Sequence, residues 1–100
     1  MAISSIEQKG SYYELYDERG KKYETIHHSK GDLLGWSDSF FILRNGSYYD
    51  LYDEFGKKYK TIHHSKGDFV SITGDTFILR HGSYNDTYDK WGDKVSSRHA

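Results

Sequence analysis

With 100 residues and no cysteine, the chain has length for one domain and no means of forming a disulfide, a thiolate nucleophile or a Cys-based zinc site. Its 14 Lys+Arg against 15 Asp+Glu leave a net charge of −1, which argues against nucleic acid or an anionic membrane as partner, and no apolar run approaches the ~18–20 residues of a membrane span. Only 35% of residues are hydrophobic but 17% are aromatic, with ten Tyr, five Phe and two Trp, so a core has to be built largely from rings.

The opening segment, Met1-Ala2-Ile3-Ser4-Ser5-Ile6-Glu7, has neither a basic nor an apolar signal region, and a cytoplasmic location, or a place in a particle assembled in the cytosol, is expected. Gly10-Ser11-Tyr12-Tyr13-Glu14-Leu15-Tyr16-Asp17 then returns as Gly46-Ser47-Tyr48-Tyr49-Asp50-Leu51-Tyr52-Asp53, an offset of 36. The match continues through Thr25 to Asp32 and Thr61 to Asp68, and through Phe41 to Arg44 and Phe77 to Arg80. A third copy opens at Gly82 and fades by Ala100, which divides one domain of residues 1–100 into units of 1–31, 32–67 and 68–100.

Inside each unit, alternating aromatic and polar runs are cut by turn residues at short intervals, and there is no proline. That pattern predicts an all-β antiparallel meander with no helix. Lys9-Gly10, Asn45-Gly46 and His81-Gly82 read as two-residue hairpin loops, and Ser37-Asp38 and Gly74-Asp75 as a second kind of turn. Asp17 to Gly20, Asp53 to Gly56 and Asp89 to Gly92 read as type I turns closed by a glycine bulge. The four strand types are exemplified by 69–73, 76–80, 47–53 and 57–63, and the first unit lacks its leading strand, so 11 strands are expected.

A loop at Asn45-Gly46 would pair Arg44 with Ser47 and Ile42 with Tyr49, placing Phe40, Ile42, Tyr49 and Leu51 on one face and Phe41, Leu43, Tyr48, Asp50 and Tyr52 on the other. Both faces of the middle unit are substantially apolar. The last unit puts Thr76, Asn85 and Thr87 where Phe40, Tyr49 and Leu51 stand, and the first puts Ser5 and Glu7 where Phe41 and Leu43 stand. Opposite polar faces at the two ends predict an open stack of blade-like sheets, with half of a six-bladed propeller completed by dimerisation as the alternative.

Histidine supplies the first candidate site: His27-His28 and His63-His64 are metal-ligand types at equivalent positions. Adjacent residues on an extended strand point to opposite faces, and duplication alone explains the second pair, so no cofactor is expected. Six His would carry the formal charge from −1 toward +5 on acidification, making colloidal behaviour pH-sensitive. The second candidate is a strip of Tyr12, Tyr48 and Tyr84 with Tyr52, Lys57 and Lys58, able to stack sugar rings or unstacked bases; cross-strand packing is the competing account of the same rings. Ser, His and Asp recur in turns as copies, whereas catalysis needs each role assigned once, so no enzyme is expected.

The runs Tyr52-Asp53-Glu54-Phe55-Gly56-Lys57-Lys58-Tyr59 and Tyr88-Asp89-Lys90-Trp91-Gly92 resemble WG repeats, tandem β-hairpin repeats, over one hairpin per unit. That resemblance implies a β-repeat interaction module and no catalytic residues. The leading expectation is therefore a non-enzymatic module that contacts another protein chain, its own copy included, through repeat faces. The alternative is a ligand-binding module for carbohydrate or single-stranded nucleic acid.

Overall fold

A computed structural model of the chain describes residues 2–99; Met1 and Ala100, the outermost residues of the first and last units, lie outside the described residues. The fold is all-β, with 11 antiparallel strands in three sheets, each a meander in chain order. β1 (Ser5–Lys9), β2 (Tyr12–Tyr16) and β3 (Lys22–His27) form the first sheet. β4 (Asp32–Trp36), β5 (Phe40–Asn45), β6 (Tyr48–Asp53) and β7 (Lys58–His63) form the second. β8 (Asp68–Thr73), β9 (Thr76–His81), β10 (Tyr84–Asp89) and β11 (Lys94–His99) form the third. Among the described residues no helix is long and apolar enough to cross a membrane.

The β5–β6 loop departs from expectation by one residue. Asn45 pairs with Tyr48 and Ile42 with Leu51, so the loop is Gly46-Ser47. Gly46 has φ +59° and no non-glycine residue among those described has positive φ, which matches a type II′ loop with glycine at the first central position. The pairing thus slides by two residues. Because side chains alternate with period two, that slide leaves every side chain on its expected face. The Asp turns form as expected: Asp53 C=O accepts from Gly56 N–H at 3.0 Å, and the Asp53 carboxylate accepts from the N–H groups of Phe55 and Lys57 at 2.9 and 3.0 Å.

Between sheets the chain makes a turn of 3₁₀ helix that the strand pattern did not foretell, at His28–Lys30 and again at His64–Lys66. The short connection brings the next sheet directly onto the last. Tyr13, Leu15 and Ile26 of the first sheet bury against Phe41, Leu43 and Tyr52 of the second. Their equivalents 36 residues on, Tyr49, Leu51 and Ile62, bury against Phe77, Leu79 and Tyr88 of the third. One contact is used twice, head to tail.

The middle sheet is consequently covered on both faces, and Phe40, Phe41, Ile42, Leu43 and Leu51 have no solvent exposure. Each such side chain contributes about 1.5–3 kcal/mol relative to an exposed one. Ile3, also buried, covers ground left by the missing leading strand, its N–H donating to Asp38 C=O at 2.9 Å. On the outer face of the first sheet Glu14 accepts from the Tyr16 hydroxyl at 2.8 Å and from Lys22 at 3.1 Å, and these two partners hold its carboxyl below the usual carboxylate range.

Candidate functional site

Because the 3₁₀ turns join sheets without reversing their order, equivalent strand ends fall on the same end of the stack. Each of the three Gly-Ser loops is flanked there by a tyrosine opposite a histidine: Tyr12 with His27, Tyr48 with His63 and Tyr84 with His99. In all three pairs the rings meet edge to face, with centroids 5.1, 5.2 and 5.4 Å apart. These tyrosines are 47, 47 and 51% exposed, whereas Tyr13 and Tyr49, one residue further along the strand, are core. The outcome is a ladder of half-open rings, one rung per sheet.

The paired histidines do not behave as strand neighbours. His27 caps the 3₁₀ turn, its Nδ1 accepting from Ser29 N–H at 3.1 Å, and His63 does the same with Ser65 at 3.1 Å. The chain therefore bends at His28 and His64, and the rings of each pair lie side by side with centroids 4.8 and 4.7 Å apart. An Nδ1 that accepts an N–H bond leaves the proton of the neutral ring on Nε2. Ligation through Nε2 would shift that proton to Nδ1, facing the serine N–H. Among the described residues no group of three or more His, Asp or Glu is gathered to hold a metal.

Tyr52, Lys57 and Lys58 do not join the ladder. Tyr52 is 5% exposed and stacks on Phe41 at 5.0 Å, inside the interface between the first two sheets. Lys58 pairs with Tyr52, four strand positions or roughly 13 Å from Tyr48, and Lys57 lies further out in the Asp53 turn. The cations that do accompany the ladder are others. Arg44 and Arg80 sit at the ends of β5 and β9, each Nε donating to the loop carbonyl of Gly46 or Gly82 at 2.8 and 3.3 Å. Lys30 and Lys66 close the two 3₁₀ turns.

His81 and His99 complete the set, so all six histidines stand at this end. Sequence reasoning missed both, because it compared letters and the letters around His99 have diverged; its distance of 36 residues from His63 was the available signal.

A cleft of about 510 Å³ opens beside the ladder between the second and third sheets, with Lys60, His63, Lys66, His81 and Lys94 on its walls. Asp86 and Asp93 also line it, Asp86 buried and accepting from Ser97 Oγ at 2.6 Å. This surface offers flat rings, N–H donors and positive charge in quick succession. It suits an extended anionic or hydroxyl-rich chain.

The chain matches no model of a known protein family, no curated protein and no solved structure. The functional reading therefore rests on the residues themselves.

Proposed function

We propose that this chain is a non-enzymatic interaction module whose working surface is the end of the stack carrying Tyr12, Tyr48 and Tyr84. The observation that carries the reading is the third rung. Along β11 only Lys94 and His99 keep the identities of their β7 equivalents, Lys58 and His63, while the rest of the strand has changed. Tyr84 and His99 still meet as Tyr48 and His63 do, on a ring that is half exposed and adds little to the core. Divergence has spared the surface pair where it altered the strand that carries it.

The reading agrees with what the resemblance to WG repeats implies, and it favours a partner chain running along the stack over further stacking of copies. A second copy added head to tail, or a ring closed by dimerisation, would bury Glu7 and Glu14 of the first sheet against Asn85 and Thr87 of the third. Uncompensated burial of such groups costs several kcal/mol.

The test is a binding survey with immobilised acidic peptides, neutral oligosaccharides and oligonucleotides, run on the natural chain and on Tyr48→Ala and Tyr84→Ala. At least one probe class should bind and should lose about fivefold or more in either variant, with the far-UV circular dichroism unchanged. If no class binds, or if binding ignores both substitutions, the reading fails.

A further inference from the structure

The near-zero net charge conceals an excess of positive charge at one end of the sheets. Lys9, Lys30, Arg44, Lys66, Arg80 and Arg98 all stand at the ladder end, and among the described residues the carboxylates at the same end are Asp32 and Asp68. At the opposite end the turn carboxylates, such as Asp17, Glu18, Asp53 and Asp89, are nearly balanced by Arg19, Lys21, Lys22, Lys57, Lys58, Lys90 and Lys94. Strand ends set this excess: basic residues stand before each Gly-Ser loop and within each 3₁₀ turn, whereas each bulged turn mixes acidic residues with basic ones.

Three of the six, Lys30, Lys66 and Arg98, have no ion pair or side-chain hydrogen bond among the described residues, while Arg44 lies over the Tyr49 ring, 5.3 Å from its centroid. Lys9 lies 3.8 Å from Glu14, but Lys30, Arg44, Lys66, Arg80 and Arg98 form no ion pair among the described residues. In Arg44 and Arg80 the Nε bond to the loop carbonyl pins the guanidinium while both Nη groups keep their donors. Pinned guanidinium groups are well suited to phosphate oxygens, since less freedom is lost on binding.

From this arrangement we infer that the ladder end binds single-stranded nucleic acid, phosphates on the Arg44, Lys66 and Arg80 groups and bases on Tyr12, Tyr48 and Tyr84. The inference rests on the proposed working surface and names its partner. Aromatic rungs at the spacing of stacked sheets, about 10 Å, interleaved with cations, match how sequence-tolerant single-strand binders work. Imidazole rings beside each rung add further stacking surface. An acidic protein segment would use the cations and leave the open tyrosine faces idle. Single-stranded nucleic acid uses both.

Fluorescence anisotropy with a labelled oligothymidylate of roughly 15 nucleotides at low salt tests this directly. The natural chain should bind, with affinity falling as salt rises. Lys30→Glu combined with Lys66→Glu, two exposed side chains with no bonds to lose, should weaken binding tenfold or more and flatten the salt dependence. Tyr48→Ala should weaken it about fivefold or more. Lys57→Glu combined with Lys90→Glu, at the opposite end, should change affinity less than twofold.

Absence of oligonucleotide binding overturns the inference, as does equal loss in the opposite-end variant. If a glycan or acidic peptide instead binds in a Tyr48-dependent way while the oligonucleotide does not, the working surface stands and its partner is reassigned. If no probe depends on Tyr48 or Tyr84, both readings fall together.

Discussion

The Tyr49 hydroxyl, on the second sheet, donates at 2.8 Å to the carbonyl of Gly67, where the chain crosses into the third, and Tyr13 makes the same bond to Gly31 at 2.9 Å. In the third sheet the equivalent residue is Asn85, whose Oδ1 is buried without a partner. A tyrosine at this position thus ties one sheet to the next. Tyr49→Phe removes the donor inside a buried site and should cost about 1–3 kcal/mol. Urea denaturation with an unchanged midpoint would show that the bond contributes nothing.

Gly35 of β4, in the second sheet, packs tightly against β8 of the third. A Cβ there would lie 2.7 Å from Ile72 Cγ2 and 3.2 Å from Phe69 Cζ. Gly35→Ala should therefore destabilise by about 1–3 kcal/mol through overpacking. Combined with Ile72→Ala it should cost less than the two single changes added together, since the second makes room for the first. Strict additivity in thermal or urea melts would contradict the contact.

Polar substitution of the outer face should be what keeps the third sheet from acquiring a neighbour. Asn85→Tyr with Thr87→Leu restores the side chains that the second sheet uses to bind the third. Such a face should associate with itself, isologously, in a concentration-dependent way. Sedimentation velocity should report larger species for the double variant than for the natural chain. Identical distributions at matched concentration would rule out the capping role.

The Asp turns are clasped by tyrosines of the preceding sheet: Tyr23 hydroxyl donates to Glu54 C=O, and Tyr59 hydroxyl to Lys90 C=O. Burial, with the nearby carboxylates second, pushes both phenols up to about 12. The unfolded chain loses these protons near the ordinary phenol value, about 10. Between about pH 10 and 12 the folded state holds more protons, so stability is full below that window and falls as pH rises through it. Tyr23→Phe with Tyr59→Phe should flatten this alkaline loss in chemical melts; an unaltered slope would exclude these two residues as its source.

The offset of 36, the 11 strands and the sorting of side chains onto two faces were all legible in the letters, because they depend on local rules. Glycine takes positive φ wherever a tight loop needs it, and alternation is a property of the extended backbone. Even the misplaced loop at Asn45-Gly46 preserved the faces, since Gly46-Ser47 shifts the pairing by two. Which residues meet was another matter. Lys57 and Tyr48 look like neighbours in a strip but sit at opposite ends of one hairpin, and Tyr52 looks like Tyr48 but is roofed by the first sheet. His27 and His28 look like strand neighbours on opposite faces, yet a 3₁₀ turn sets their rings side by side. The hairpin register decides the first of these and the 3₁₀ turn the last, while the burial of Tyr52 arises between sheets and no single unit carries it. A net charge of −1 is a sum, and only the alignment of three sheets reveals that Lys9, Lys30, Arg44, Lys66, Arg80 and Arg98 gather at one end with few carboxylates beside them.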